Sequence, residues 1–495
     1  MFCFVCRSQL KAGEILKSVF YMNCLIMASL TLILDDLNEN PICKHGPTVL
    51  FQRNDASGKV VSRYYGCSAS RNGTCALELP ASQIITSKTF YNSTTTSHMQ
   101  INKVRNSNAS EKAYCLKCQR LILKSCLDNH KNHEIICDLT DDMLRQPSRL
   151  LTPLTDDSNE AQYFFSDDTL LCIKGIIEQL RITKIVCLGA PRLHEYLLTK
   201  TITKSLLLDI DERFRWFYDE SIFLQYNMFN HHFYEGVAAQ DVLISFLQTG
   251  EQKDRVCLFT DPPFGCRTEL LANTILKLNQ LYNATNLLVQ HVLPAFWVFP
   301  YFMEAYIKKE MPSMEMSDYH VSYTNHKTYH NGKKSLKHGS PIRLFTNVPL
   351  ESFKLPFNEG YKFCLKCNKS VHKTNTHCVI CNKCASKNGA SYMHCTKCNV
   401  CVKPNYKHCY KCGRCAQKHE CRFYQNQIIC RICLVKGHTE LSCSFWKHFN
   451  KFKRHYKGCI ICGKNTHIIQ NCLKRKLALK ETYFLGKYNN ILNLH

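Results

Sequence analysis

No stretch of this 495-residue chain stays apolar long enough for a membrane span. The longest run, VFYMNCLIMASLTLIL at residues 19–34, is interrupted by Asn23, Ser29 and Thr31, so no membrane partner is expected; a signal peptide stays open as a reading of the same run. A G-x-G-x-x-G fingerprint is missing, which argues against a dinucleotide dehydrogenase. Acids are scarce: 39 Asp and Glu face 64 Lys and Arg, leaving +25 and excluding an acidic, solvating chain.

At 45% hydrophobic content the chain builds a real core, and its length predicts about three domains. The charge is uneven. From Tyr361 onward 26 basic residues face three acids, so +23 of the +25 lies in the last 135 residues, the footprint of a polyanion partner. Zinc held by three thiolates and a histidine carries about −1, so six such sites leave that region near +17, still strongly basic. The 32 cysteines cluster as C-x-x-C with interleaved histidines, the spacing of zinc ligation in a reducing compartment rather than of disulfides.

Residues 1–40 read as an N-terminal extension in which Met27 offers an alternative start. Residues 41–80 carry Cys43, His45, Cys67 and Cys75, with YYGC as a short strand entering a ligand. This spacing resembles the GRF-type zinc finger, a small β module associated with nucleic-acid binding. Residues 81–110, rich in Ser, Thr and Asn, read as a linker. Residues 111–140 hold Cys115, Cys118, His130 and His133, a Cys2His2-type site, with LILKSCLDNH expected as a helix carrying the histidines.

Over residues 150–350 the metal spacing stops and α/β alternation begins. KIVCLGA, SLLLDID, VCLFTD, FWVFP and IRLFTN are runs of strand length with helix-length spacers, which predicts a mostly parallel, doubly wound sheet whose ligands sit at the strand ends. After KIVCL comes Gly189-Ala190-Pro191-Arg192, where one glycine admits a close backbone approach. After SLLL comes Asp209-Ile210-Asp211, an acid placed to accept ribose hydroxyls. S-adenosylmethionine, with no pyrophosphate to cradle, suits this sparse glycine content. After VCLFT comes Asp261-Pro262-Pro263-Phe264. Asp261 can accept one N–H of an exocyclic amine, the carbonyl beside a proline a second, and Phe264 can stack on a base. Adenine N6 is a poor nucleophile because its lone pair is delocalised, and two acceptors drawing it toward tetrahedral geometry make attack on a sulfonium methyl feasible without a metal.

QYFF at 162, CLGAPRLHE at 187, SLLLDID at 205, YNMFNHHF at 226, TDPPFG at 260 and FWVFPYF at 296 resemble the zinc-knuckle (CCHC) ribosomal RNA adenine-N6 methyltransferase family, from Cys43 to about Cys443. The resemblance implies a Rossmann-like S-adenosylmethionine-dependent domain. It assigns Asp261, Pro262, Pro263 and Phe264 to the target amine. It gives the cofactor to Gln162, Tyr163, Gly189, Ala190, Pro191, Arg192, Asp209, Asp211, Asn227, Met228 and Asn230. His231 and His232 receive no catalytic role.

Residues 361–422 repeat: CLKC at 364, then HCVICNKC at 377, HCTKCNVC at 394 and HCYKCGRC at 408. Cys364, Cys367, His377, Cys378, Cys381, Cys384, His394, Cys395, Cys398, Cys401, His408, Cys409, Cys412, Cys415, His419 and Cys421 make sixteen ligands, enough for four zinc sites whose pairing the spacing leaves open. With so little apolar core, metal must supply much of the folding energy. The repeat resembles the cysteine-rich module of protein palmitoyltransferases, but the Asp-His-His-Cys nucleophile is absent. Two C-x2-C-x4-H-x4-C knuckles follow at 430–443 (Cys430, Cys433, His438, Cys443) and 459–472 (Cys459, Cys462, His467, Cys472), the second a departure from a family in which one is usual. Between them SFWKHFNKFKRHYKG interleaves aromatics and cations as a platform for single-stranded nucleic acid, and residues 473–495 form a basic tail.

The expectation is an α/β methyltransferase that uses S-adenosyl-L-methionine and several structural Zn2+ ions to form N6-methyladenosine in RNA. Large-subunit ribosomal RNA, and a nuclear (nucleolar) and cytoplasmic location, follow from the resemblance alone. The competing readings are an RNA-binding adaptor with an inactive methyltransferase fold, and a methyltransferase acting on cytosine N4 or a glutamine amide.

Overall fold

The computed structural model describes residues 29–55, 58–68, 75, 77–82, 98–154, 162–250, 254–326, 340–410 and 413–417. Cys412, His419, Cys421, both CCHC knuckles, the aromatic-basic segment between them and the basic tail lie outside them. The chain divides into two compact units, residues 1–373 with 387–389, and residues 374–386 with 390–495. Among the described residues no helix is long and apolar enough to cross a membrane.

The first unit opens with an antiparallel sheet of β1 (Ser29–Ile33), β2 (Val49–Asn54), β3 (Val60–Gly66) and β4 (Glu78–Pro80), in that order. β1 belongs to the segment expected as an extension, yet it pairs with β2 from Ser29↔Asn54 to Ile33↔Leu50. Helix α1 (His98–Asn106) likewise lies inside the expected linker. Its polar sequence hides two buried residues, Ile101 and Val104, and Arg105 donates to the carbonyls of Arg215 and Tyr218 at 3.3 and 3.0 Å. The second module is the small sheet β5 (Lys112–Cys115), β6 (Arg120–Leu123) and β7 (Ile135–Ile136). The expected helix at LILKSCLDNH is split: its apolar start is β6, and Lys124–His130 is a 3-10 helix. Burial of Leu121 and Ile122 against the sheet outweighs their helix propensity.

The third part is an eight-stranded mixed sheet. Its strands are β8 (Lys184–Leu188), β9 (Lys204–Asp209), β10 (Phe223–Asn227), β11 (His232–Phe233), β12 (Val256–Thr260), β13 (Ala295–Pro300), β14 (Glu315–Met316) and β15 (Ile342–Thr346), ordered β11-β10-β9-β8-β12-β13-β15-β14. β10 through β13 in that order are parallel, whereas β15 runs antiparallel to β13. The helices include α2 (Asp167–Gln179), α3 (Pro191–Lys200), α4 (Val237–Leu247) and α5 (Thr268–Thr285). Strand β8 shows why its run is unbroken: Ile185 and Cys187 enter one apolar cluster, Val186 and Leu188 the other, so both faces are buried. β8 lies between β9 and β12, so chain order reverses beside it and opens a crevice at the carboxyl ends of the strands.

The second unit is a string of short hairpins. They are β16 (His377–Cys378) with β17 (Lys383–Cys384), β18 (Met393–Cys395) with β19 (Val400–Val402), and β20 (Lys407–Cys409) with β21 (Arg414–Ala416). In the first two hairpins, C-x-x-C is followed by an asparagine in left-handed conformation, Asn382 (φ 46°) and Asn399 (φ 51°). Asparagine tolerates that region better than most residues, which lets the chain reverse after the second thiol.

Candidate active site

Three strand ends build the crevice. Leu188 ends β8 and its carbonyl accepts from the Asp261 amide at 3.2 Å; the Gly189 amide donates to Leu208 of β9 at 2.9 Å. The residues after β8, β9 and β12 are thereby tied together around one open cleft. Gly189 has φ 65°, and a Cβ there would lie 2.3 Å from the methyl of Met228, so the glycine permits both the turn and the close packing.

Gln162, Tyr163, Gly189, Pro191, Asp209, Asn227, Met228, Asp261, Pro262 and Pro263 line this cleft, as do Ile210, Tyr226 and Phe229. The last three lie inside the segments SLLLDID and YNMFNHHF, where the sequence assigns them no role of their own. Four expected cofactor residues are not among the lining. Ala190 is buried at the start of α3. Arg192 turns to Glu195 and Ser148, both at 3.2 Å, because the fully buried Glu195 carboxylate needs a cation. Asp211 is gripped by Arg213, with contacts of 2.8 and 2.7 Å, and accepts from Gln162 Nε2 at 2.8 Å. It therefore orients a lining residue. Asn230 sends its amide to the carbonyls of His45 and Pro47.

Asp209 is buried. Its Oδ1 accepts the Asp211 amide at 3.0 Å, and burial, with the Asp211 charge second, pushes its carboxyl up to about 7. The donor set suits S-adenosylmethionine: a carboxylate at the end of the second parallel strand for ribose hydroxyls, a glycine turn, and a Met and Phe wall.

Asp261 is the catalytic candidate, and burial lifts its carboxyl well above the usual range. Opposing this, the Tyr323 hydroxyl donates to Asp261 Oδ1 at 2.8 Å; it is the one donor to this carboxylate among the described residues. Tyr323 is fully buried and stacks on Phe165, ring centroids 5.3 Å apart. Phe264 is outside the cleft lining but beside it, 5.9 Å from Tyr163 at an interplanar angle of 20° and 6.3 Å from His326. Tyr323 carries no sequence signal, since it comes 62 residues after Asp261 in a segment with no motif. His231 accepts from or donates to Tyr226 at 2.6 Å, and burial holds it down to about 4.

The thiols and imidazoles form compact tetrads. Cys43, His45, Cys67 and Cys75 make one, Cys115, Cys118, His130 and His133 another, and in each the ligand atoms lie within 4.8 Å of one another. Cys67 Sγ is 3.2 Å from His45 Nδ1, and the Nδ1 atoms of His130 and His133 face each other at 3.1 Å. Such spacings are the edges of a tetrahedron around an ion about 2.0–2.3 Å from each ligand. These donor sets fit Zn2+. In the second unit Cys378, Cys381, His394 and Cys401 form a tetrad, and so do Cys395, Cys398, His408 and Cys415. Here the pairing left open by spacing becomes legible: His394 and Cys401 face each other across one hairpin and serve one site, while Cys395 and Cys398 of that hairpin serve the next. Cys364 and Cys367 bound a turn in the first unit, and His377 and Cys384 face each other across β16 and β17 in the second.

Residues 156–348 match the family described as probable N6-adenine methyltransferase. The chain is 38% identical over 371 residues to the rRNA N(6)-adenosine-methyltransferase ZCCHC4 of Mus musculus, covering 68% of this chain and 70% of that one. It is 37% identical over 368 residues to that of Homo sapiens, covering 70% and 71%, and 38% identical over 356 residues to that of Xenopus laevis, covering 68% and 72%.

Proposed function

Because the chain belongs to the family of rRNA N(6)-adenosine-methyltransferases, we propose that its cleft binds S-adenosylmethionine and that Asp261-Pro262-Pro263-Phe264 presents an adenosine of RNA for N6 methylation. The observation that carries this reading is the convergence of Gly189, Asp209 and Asp261 on one cleft at the switch point of the sheet.

Bound there, S-adenosylmethionine supplies an electrophilic methyl on a sulfonium. The chain's own residues do the rest. The Asp261 carboxylate accepts one N–H of the target amine through the oxygen that Tyr323 leaves open, and the Pro262 carbonyl accepts the other. This pairing pulls the nitrogen lone pair out of conjugation and aims it along one line. Burial raises the proton affinity of Asp261, which suits a group beside an amine that must shed a proton after gaining a methyl. Asp209 fixes the ribose, and Gln162, held by Asp211 and Arg213, closes the wall beside it.

The zinc tetrads and the +23 carried by the last 135 residues support RNA rather than protein as the substrate, and weigh against a glutamine amide. Within RNA we assign the large ribosomal subunit, and with it a nucleolar and cytoplasmic location. Separated large- and small-subunit RNAs from cells lacking the protein, incubated with the purified chain and methyl-labelled cofactor, test this. Label is expected in the large-subunit RNA as N6-methyladenosine. Label confined to small-subunit RNA contradicts the subunit assignment, and label in cytidine contradicts the chemistry.

A further inference from the structure

The turn Asn227–Asn230 has two sides. Asn227, Met228 and Phe229 line the cleft, and the Met228 methyl packs over Gly189. Two amides point the other way. Asn227 Nδ2 donates to the His45 carbonyl at 2.7 Å, and Asn230 Nδ2 donates to the carbonyls of His45 and Pro47 at 3.0 and 2.8 Å. Both asparagines are buried, so water cannot replace these acceptors. Tyr234 adds a bond from its hydroxyl to the Lys44 carbonyl at 3.2 Å. Between those acceptors sits Gly46 at φ 91°, where the His232 ring occupies the space of a side chain; a Cβ would meet it at 2.5 Å.

The carbonyls that receive these bonds belong to the turn Cys43–Pro47, which carries two ligands of the first tetrad. Zinc held by that tetrad would fix the turn, whose carbonyls hold the asparagine amides on either side of Met228. The second tetrad also reaches the lining: Gln119, next to ligand Cys118, accepts from Arg213 at 3.2 Å, and Arg213 holds Asp211 and the lining residue Gln162.

We propose that zinc bound by Cys43, His45, Cys67 and Cys75 sets the affinity of the cleft for its adenosyl cofactor, making a module that reads as a nucleic-acid grip also a wall of the cofactor pocket. The inference rests on the assignment of the cleft to S-adenosylmethionine. Without the ion the Cys43–Pro47 turn loses its cross-link, the buried amides lose fixed partners, and cofactor binding must also order the wall.

The test uses the full chain and S-adenosylhomocysteine as the probe in calorimetry. Failure of the wild type to bind contradicts the cleft assignment itself. Given binding, Asn230→Ala, which removes no zinc ligand and no cleft-lining residue, is expected to weaken affinity about tenfold, within the usual range of coupling between linked sites, at unchanged zinc content. Wild-type affinity in that variant, checked as folded by circular dichroism, overturns the proposal. A reciprocal measurement needs no variant: in the wild type, saturating S-adenosylhomocysteine must raise the chelator concentration that removes zinc from the Cys43, His45, Cys67 and Cys75 site by a similar factor. Superimposable zinc-release curves overturn it. Cys398→Ser, in the second unit, is expected to leave the S-adenosylhomocysteine affinity unchanged; an equal loss there overturns the proposal by showing that the effect is general.

Discussion

Replacing Tyr323 by phenylalanine removes one oxygen and keeps a ring that is already stacked on Phe165. That oxygen donates to Asp261 at 2.8 Å and is the one hydrogen bond opposing the burial that lifts the carboxyl above its usual range. A hydrogen bond to a charged group is worth about 1.5–3 kcal/mol, so its loss from the reacting geometry predicts a fall in kcat of roughly ten- to a hundredfold near neutral pH. Folded-state ionisation of Asp261 then requires a higher pH than in the wild type. Among the ionisable neighbours, Tyr163 packs against Tyr323 and His326, and burial lowers His326, so it supplies no positive charge near neutral pH to hold the carboxylate ionised. The deficit should be deepest on the acid side and narrow as pH rises, with the Kd for S-adenosylhomocysteine unchanged. Single-turnover rates from pH 6 to about 10 provide the assay. A pH profile that superimposes on the wild type, or a loss residing only in cofactor affinity, refutes the reasoning.

Other outcomes follow from the same geometry. Ribose hydroxyls favour the ionised form of Asp209, so S-adenosylhomocysteine should bind more tightly as pH rises through about 7, a dependence lost in Asp209→Asn; calorimetry between pH 6 and 8 measures it. Because the folded value of this acid lies above its ordinary 3.8, the apo chain should lose this contribution to stability as pH rises from 3.8 to about 7, as denaturant titrations would show. Cys398→Ser should lower zinc content in native mass spectrometry by more than one ion, because its hairpin supplies two adjoining tetrads; loss of a single ion would show that the sites fold independently. Removing residues 430–495 deletes 13 of the 26 basic residues beyond Tyr361 and should flatten the slope of log affinity against log salt by about 0.7 per lost phosphate contact, while S-adenosylhomocysteine binding persists.

Much of the cleft was legible because it is local in sequence. VCLFT is a buried strand and the proline pair must follow its end, so Asp261 could be placed at a carboxyl edge from five apolar residues and two prolines. The same locality exposed Gly189 and Asp209. What stayed hidden depends on partners far along the chain. Asn230 resembled a cofactor residue until its amide met a carbonyl 183 residues earlier, and Arg192 lay beside the glycine turn but was claimed by Glu195. Helix α1 was masked by a polar composition in which Ile101 and Val104 are the apolar residues buried, and IRLFT has the same apolar run whether it joins its neighbour parallel or antiparallel.

The central claim is that Asp261 activates an adenine amine, and nucleoside mass spectrometry tests it most directly. Ribosomal RNA lacking the modification, incubated with labelled S-adenosylmethionine and either the wild-type chain or Asp261→Ala, is digested and its methylated nucleosides are identified. The account predicts N6-methyladenosine from the wild type and none above background from the variant, with RNA and cofactor affinities of the variant near normal. N6-methyladenosine made at the wild-type rate by Asp261→Ala, or a different methylated nucleoside from the wild type, would contradict it.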